Sequence, residues 1–264
     1  MIDRASITQW AGRVPWNDPA QVEQDLIISR ALVAIFSDEF LASQLAFRGG
    51  TALHKLYLSP QPRYSEDIDL VQIHPGPIKP ILFRLGEVLD FLPDRVTQQK
   101  RYNNTMLFRM ESEVPPVVPI RLKIEINCVE HFNELGLVKM PFAVKSHWFT
   151  GQCAITTYAL NELLGTKLRA LYQRKKGRDL FDLYVALTEA EVDTSEILQC
   201  YNRYMAFSVQ QPPTYKQFVV NMEAKMADPD FLGDTRVFLR PERPFDPQAG
   251  YEAVRAQLID GLKK

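Results

Sequence analysis

The sequence predicts an α+β fold, with a mixed β-sheet over the first part of the chain and a mostly helical half after it. The segment Ile120–Ile126 alternates strictly between apolar and polar residues, which is the period of a strand with one buried face. Apolar residues recur at helical spacing in Gln21–Leu45, and from Thr157 onward almost every segment has this spacing. We therefore expect two domains, 1–150 and 151–264, with the functional cleft between them.

Helices and strands alternate in the predicted first domain. Pro15 to Pro19 end a short N-terminal arm, and a long helix is expected over Gln21–Leu45, with Asp18 or Asn17 as its N-cap. The remaining predicted elements of this half are a short helix at Thr51–Tyr57, a strand at Asp67–Ile73, a helix at Ile78–Leu92, and strands at Arg95–Gln98, Asn104–Glu111 and Pro119–Cys128. In the second half, helices are predicted at 158–174, 178–189, 194–207, 213–227 and 248–262.

Composition excludes several classes of protein. The chain has 264 residues, of which 46% are hydrophobic and 24% charged, so it is globular rather than disordered or fibrous. A net charge of −1 argues against a protein that coats nucleic acid by bulk charge, and leaves a local basic patch open. Its 3 cysteines have no CxxC spacing, which argues against a disulfide framework and a structural zinc site. With no apolar segment of signal-peptide or membrane-span type, a cytoplasmic protein without membrane contact is expected.

A pair of glycines separates the first two predicted helices. Gly49 and Gly50, in the segment Phe47–Leu53, allow a tight turn and a close approach of the backbone to a ligand. Free N–H groups at the start of the Thr51 helix would then face an anion such as a triphosphate. The alternative is a plain glycine turn between two helices.

Two aspartates share one face of the strand predicted at Asp67–Ile73. Because side chains two positions apart on a strand point the same way, Asp67 and Asp69 repel each other unless a cation lies between them, and Mg²⁺ suits such a pair. The alternative is a solvated acidic edge strand. Glu125 lies on a later strand and shares its face with Lys123; it is either a third metal ligand or part of a cross-strand ion pair.

Lys167 lies within the apolar stripe of the helix predicted at 158–174. A lysine at this position is costly unless it is paired or faces a polar cavity, although a stem that snorkels from the margin of the stripe is an alternative. Asp179 is in the first turn of the next helix, where it either orients Lys167 or Arg178 or only favours the helix dipole.

A basic cluster, Lys175, Lys176 and Arg178, adjoins Asp179. These residues either hold phosphates or are ordinary surface charges.

The order of these motifs resembles the DNA-polymerase-β-type nucleotidyltransferase superfamily, in which a glycine pair opens a helix and a strand-borne D-x-D follows. Three parts of the sequence are similar to motifs of the AbiEii/AbiGii toxin family, which includes the MenT toxins. They are Phe47–Leu53 (FRGGTAL), Arg63–Leu70 (RYSEDIDL), and Lys167 together with Arg178–Tyr184 (RDLFDLY). The resemblance covers roughly residues 20–190, and the later residues match no motif.

The resemblance implies a nucleotidyltransferase-fold sheet with flanking helices and a Mg²⁺-dependent enzyme for which Mn²⁺ would substitute. The implied reaction moves a nucleoside monophosphate from an NTP to an RNA acceptor, the 3′ end of tRNA, and releases pyrophosphate. The enzyme would be the toxin of a type IV-like toxin–antitoxin or phage-defence pair, with a cognate antitoxin as partner.

By position, the resemblance also assigns roles to residues. The implied catalytic residues are Asp67, Asp69, Lys167 and Asp179, and the implied metal ligands are Asp67, Asp69 and Glu125. The implied nucleotide- and phosphate-binding residues are Arg48, Gly49, Gly50, Thr51, Lys55, Ser65 and Arg178. The RNA acceptor would lie along Arg63, Arg101, Lys175 and Lys176.

Other classes of function stay open at this stage. One is nucleotidyl transfer to a protein side chain or a small molecule, and another is a non-catalytic protein that binds a nucleotide or a partner. A D-x-D glycosyltransferase would not explain the Gly-Gly-Thr helix start or the Lys-Gly-Arg-Asp segment.

Overall fold

A computed structural model describes residues 2–100, 102–240 and 242–263. The chain forms two compact units, one made of residues up to 133 together with 137–158, and the other of 134–136 together with 159–264. The first unit runs past residue 150, the predicted domain boundary, because its last strand, Thr150–Tyr158, pairs within the sheet. Within the described ranges, no helix has the length and apolar character needed to cross a membrane.

A mixed sheet of 7 strands is the centre of the first unit. The strands are β1 (Leu45–Arg48), β2 (Asp67–Gln72), β3 (Arg95–Gln99), β4 (Asn103–Glu111), β5 (Pro119–Asn127), β6 (Leu137–Lys145) and β7 (Thr150–Tyr158). Their order is β3-β4-β5-β2-β1-β7-β6, in which β2 pairs with β5 and β1 with β7 in parallel, and the other neighbours are antiparallel. A mixed sheet with flanking helices confirms the predicted fold class.

Helices of the first unit are α1 (Arg4–Ala11), α2 (Pro19–Ser37), α3 (Glu39–Gln44), α4 (Gly49–Ala52) and α5 (Lys79–Val88); a π-helical turn, Leu53–Tyr57, continues α4. The single helix predicted over Gln21–Leu45 is wrong in its second part. Asp38 has an extended backbone and accepts a hydrogen bond from the Leu41 N–H, so it ends α2 and caps α3. The chain then becomes β1 at Leu45, which pairs with Gln72 of β2.

Strands β1, β6 and β7 are not among the predicted elements. β1 has only 4 residues, too few to display a period, and its side chains are almost all buried. β6 lies at the edge of the sheet and alternates between exposed and less exposed residues from Val138 to Lys145, although Pro141 is an unfavourable residue for a strand. For the short β1, contacts made by the folded sheet are what identify the segment as a strand.

The second unit is helical. It contains α6 (Leu160–Gln173), α7 (Gly177–Glu189), α8 (Thr194–Ser208), α9 (Tyr215–Met226), α10 (Pro229–Gly233), α11 (Pro247–Gln257) and a 3₁₀ turn, Ile259–Lys263. The helices predicted at 158–174, 178–189, 194–207 and 213–227 are confirmed, with ends within a few residues. The last predicted helix ends earlier, at Gln257, and the short α10 is not among the predictions.

A buried carboxylate joins the N-terminal segment to α2. Asp25 accepts hydrogen bonds from the indole N–H groups of Trp10 at 3.0 Å and Trp16 at 3.4 Å. Its Oδ2 also lies 2.8 Å from Lys55 Nζ, which donates a second hydrogen bond to Ser29 Oγ at 3.1 Å. Only 4% of the Lys55 side chain and 1% of the Asp25 side chain are exposed, so each charge depends on the other for compensation.

We expect Lys55→Met to lower the free energy of unfolding by about 3 kcal/mol, because it leaves the buried Asp25 carboxylate without its cation. Urea unfolding followed by tryptophan fluorescence measures the change. Lys139→Met, at an exposed position of β6, is the control and should change stability by less than about 0.5 kcal/mol. Equal effects of the two substitutions would contradict the structural role given to Lys55.

Candidate active site

Strands β2 and β5 bring acidic side chains to adjacent positions. In their parallel register Asp69 lies opposite Glu125, and Asp67 lies opposite Lys123. Lys123 Nζ is 3.1 Å from Asp67 Oδ2 and 3.3 Å from Glu125 Oε2. All of these side chains are on one face of the sheet, as the alternation of each strand predicts, and the lysine and its two partners are partly exposed. Solvent, and therefore a soluble ligand, can reach this group.

The carboxylate of Asp69 is held in an environment that disfavours its charge. Burial, and then the negative charge of Asp67, raise the pKa of Asp69, while the positive charge of Arg48 opposes this rise. A cation placed between the two aspartates would remove the repulsion. The electrostatics of the pair therefore favour cation binding.

Arg48 lies at the end of β1, opposite Asp69 in the antiparallel register with β2. Its guanidinium forms an ion pair with Glu130, which follows β5 and is largely buried. Neither Glu130 nor this pairing is a sequence prediction, because the two residues are 82 positions apart. Arg48 thus forms an ion pair with Glu130 and lies opposite Asp69 on the neighbouring strand.

The glycine pair approaches these groups so closely that side chains would not fit. Gly49 has φ of +81°, and a Cβ built on it would lie 2.2 Å from Asp69 Oδ2. A Cβ on Gly50 would lie 2.6 Å from Arg63 Nη2 and 3.4 Å from Ser65 Oγ. The backbone at these glycines thus lies close to Asp69, Arg63 and Ser65, and its approach to a ligand stays a prediction.

Two hydroxyls meet beside the start of β2. Thr51 Oγ1 is 2.8 Å from Ser65 Oγ, and Thr51 also donates to the backbone carbonyl of Asp67. Together with Gly49 and Gly50, these residues border the acidic group on β2. Lys55 does not join them, because its ammonium lies in the buried ion pair with Asp25.

The oxygen donors of this group fit a divalent cation. Among residues 2–100, 102–240 and 242–263, no set of three or more His, Cys, Asp or Glu side chains is arranged as a metal site. Mg²⁺ does not need such a set, because it is usually bound by one or two carboxylates, with substrate phosphates and waters completing the octahedron. Asp67 and Asp69 supply two carboxylates, and Glu125 lies beside them in register.

A second buried ionic cluster lies in the helical unit. Lys167 Nζ is 3.1 Å from Asp179 Oδ1 and 2.9 Å from Asp182 Oδ2, and both carboxylates are fully buried. Arg174 adds a bidentate contact to Asp179, with N···O distances of 2.6 and 2.7 Å. Burial works against the charge, but Lys167 and then Arg174 hold the pKa of Asp179 below its ordinary value.

Of the two basic partners that the sequence offered for Asp179, beside a role limited to the helix dipole, the structure pairs it with Lys167. Arg178, the other, is associated with Asp234 instead, at an Nε–Oδ2 distance of 3.8 Å. Asp182 belongs to the cluster without having been predicted; its signal in the sequence is its place on the buried face of α7, one turn after Asp179.

Of the residues predicted to line the RNA path, the three that the structure describes are each paired or buried. Lys175 pairs with Asp228, and Lys176 Nζ is 3.5 Å from Asp234 Oδ1. Arg63 is buried, and its Nη1 donates to the backbone carbonyl of Tyr64 at 2.8 Å. Arg101 lies outside the described residues.

Gly49→Ala and Gly136→Ala form a matched pair of substitutions. Both glycines have positive φ, +81° and +85°, but a Cβ at Gly136 would have nothing within 4 Å. We expect each alanine to cost about 1 kcal/mol for its backbone conformation, and Gly49→Ala to cost about 1–3 kcal/mol more by crowding Asp69. Urea unfolding measures both, and equal losses would contradict the close approach to Asp69.

Lys167→Met should lower the free energy of unfolding by about 3 kcal/mol at pH 7, because it removes the cation that lies between the buried carboxylates of Asp179 and Asp182. Since the pKa of Asp179 is depressed in the folded protein, its ion pairs stabilise at neutral pH, and this stabilisation is lost as pH falls below about 4. The difference in Tm between native protein and variant should therefore narrow with acidification. Lys175→Met, at an exposed ion pair, should change stability by less than about 1 kcal/mol at either pH. A difference in Tm that is independent of pH would argue against the ionic cluster.

Known structures share this fold. The MenT4 nucleotidyltransferase toxin of Mycobacterium tuberculosis H37Rv aligns with a TM-score of 0.64 and 16% identity, over 97% of this chain and 88% of its own. JHP933 from Helicobacter pylori aligns with a TM-score of 0.58 and 17% identity, over 92% and 91% of the two chains. A putative nucleotidyltransferase from H. pylori gives a TM-score of 0.57 and 17% identity, over 92% and 94%. At such identities the likeness shows the fold.

Among curated proteins, none matches this chain in sequence. The family described as "Nucleotidyl transferase AbiEii toxin, Type IV TA system" matches residues 30–260, and so extends well past the segment that carries the sequence motifs. Because the match includes both the acidic group on β2 and β5 and the cluster around Lys167, the protein belongs to the AbiEii family of nucleotidyltransferase toxins of type IV toxin–antitoxin systems.

Proposed function

We propose that this nucleotidyltransferase uses Mg²⁺ to transfer a nucleoside monophosphate from an NTP to the 3′ end of tRNA, with release of pyrophosphate. The observation that carries the proposal is the position of Asp67 and Asp69 on one face of β2, directly against the backbone of Gly49. A carboxylate pair beside half-buried main chain suits a ligand that combines a cation with phosphates.

In this proposal Asp67 and Asp69 hold the metal, and Glu125 is the adjacent third carboxylate. A Mg²⁺ ion held by these carboxylates would supply positive charge that offsets the charge of the triphosphate during attack by the acceptor hydroxyl. Mn²⁺ would substitute, because it also accepts octahedral oxygen ligands. The backbone of Gly49 and Gly50 lies against the same group of side chains and would bind phosphate oxygens.

The polar side chains around the acidic group would then bind or position the nucleotide. Thr51 and Ser65 have hydroxyls 2.8 Å apart beside the start of β2, where they would hold the phosphates in one orientation. Arg48, held by Glu130, contributes positive charge next to Asp69. Lys55 is left out of this set because of its structural ion pair with Asp25.

Lys167 and Asp179 supply the second part of the proposed machinery. Lys167 would contact the nucleotide, and Asp179, itself fixed by Arg174, would position the lysine. Arg178 is left out of this set, because its guanidinium is associated with Asp234. The family implies an NTP substrate and a cognate antitoxin; a role in phage defence is part of this proposal.

A transfer assay tests the reaction. Purified protein is incubated with each α-³²P-labelled NTP, total tRNA and Mg²⁺, and the native protein is expected to label tRNA. Asp67→Asn and Asp69→Asn should each reduce transfer at least about a hundredfold, because each removes a metal ligand. Asp90→Asn, at an exposed aspartate of the same unit, should leave transfer unchanged.

Chelation by EDTA should abolish labelling, and added Mg²⁺ or Mn²⁺ should restore it. A labelled product that survives RNase would show that the acceptor is a protein or a small molecule rather than RNA. Toxicity in cells that is unaltered by Asp67→Asn would instead indicate a binding protein without catalysis.

A further inference from the structure

Among the described residues of the helical unit, arginines without an acidic partner are found away from the predicted basic cluster. Lys175, Lys176 and Arg178 are associated with Asp228 or Asp234. By contrast, the segment between α10 and α11 borders a cavity of about 580 Å³ whose lining includes Arg236, Arg240 and Arg243.

The arginines of this cavity, named here the arginine pocket, differ in their partners. Arg243 forms an ion pair with Glu189. Within residues 2–100, 102–240 and 242–263, neither Arg236 nor Arg240 has an acidic partner, and Arg236 is exposed. The Nε–H of Arg240 is buried and has no hydrogen-bond acceptor among those residues. A buried donor without an acceptor is unfavourable, and a rearrangement of the Arg240 side chain that brought this donor to a ligand oxygen would relieve it.

The rest of the lining favours an anion. Asp246 is acidic, but its carboxylate accepts from the backbone N–H of Gln248 at 2.9 Å as the N-cap of α11. Leu232, Leu239 and Phe245 give an apolar wall, which strengthens the interaction of a guanidinium with an anion by excluding water.

Backbone hydrogen bonds order the loop that carries the arginines. The carbonyl of Thr235, a buried residue, accepts from the N–H groups of Phe238 at 2.9 Å and Leu239 at 3.2 Å. The carbonyl of Arg240 accepts from the Arg243 N–H at 3.0 Å. Arg236 and Arg240 therefore project from a folded turn, which lowers the entropy lost when their side chains bind a ligand.

We propose that the arginine pocket binds the phosphodiester backbone of the RNA acceptor, with Arg236 and Arg240 each contacting a phosphate. The planar guanidinium suits two oxygens of one phosphate, and two uncompensated arginines provide the local positive field that a chain of net charge −1 lacks overall. This inference rests on the proposed RNA acceptor and adds the site that would bind it.

The test measures binding without NTP, so that it does not depend on catalysis. Fluorescently labelled tRNA is titrated with the full-length protein at several salt concentrations, and binding is followed by anisotropy. We expect Arg236→Gln/Arg240→Gln to weaken binding at least about tenfold and to reduce the slope of log K against log[salt] by about 2, since two phosphate contacts are lost. Arg203→Gln/Lys216→Gln removes the same charge from exposed positions of α8 and α9 and should change neither quantity.

A second variant separates charge from geometry. Arg236→Lys/Arg240→Lys keeps the charge but loses the planar fork, so it should retain the salt slope and lose affinity. Matching circular dichroism spectra and Tm values show that the variants are folded.

Equal affinity and slope for the pocket variant and its control would overturn the inference, even where the native protein labels tRNA. Absence of tRNA binding by the native protein would overturn both the inference and the RNA acceptor. Loss of binding in the pocket variant, combined with no transfer by the native protein, would support the pocket as an RNA-binding site while refuting the proposed reaction.

Discussion

The contact between the Gly49 backbone and the Asp69 carboxylate is the constraint on which the arrangement of the site depends. A side chain at position 49 would overlap Asp69, and the positive φ lets the chain leave β1, begin α4 and return as β2 within a short stretch. This return places β2 antiparallel to β1, so that Arg48 and Asp69 lie opposite each other. Thr51 and Ser65 are brought together by the same turn.

Charge compensation is a second theme of the structure. Several buried or crowded carboxylates have a basic partner: Lys55 for Asp25, Lys123 for Asp67 and Glu125, Arg48 for Glu130, and Lys167 with Arg174 for Asp179. Removing one member of a buried pair leaves a charge in a medium of low dielectric constant. Several residues that a motif marks as catalytic therefore also hold the fold together.

Features that arise within one element were predictable from sequence. The shared face of Asp67 and Asp69 follows from the two-residue period of β2, and the burial of Lys167 follows from the stripe of α6. Contacts that join distant segments were not predictable, because no local sequence pattern encodes them. Arg48 and Glu130 are 82 residues apart, and Lys175 and Asp228 are 53 apart. The sequence identifies Lys175, Lys176 and Arg178 as a group of basic residues. It does not show that Asp228 and Asp234, more than 50 positions away, compensate their charge.

The parallel register of β2 and β5 links the hydrophobic core to the chemistry of the site. Ile68 and Ile124 are paired neighbours and fully buried, as is Ile126, which lies opposite Leu70. Because side chains alternate along a strand, sliding β5 by a single residue would turn Glu125 into the core and set an isoleucine beside Asp69. The apolar face of the sheet thus fixes the register that aligns the acidic residues on the opposite face. An insertion or deletion in β5 would therefore disrupt this alignment even if every polar residue were retained.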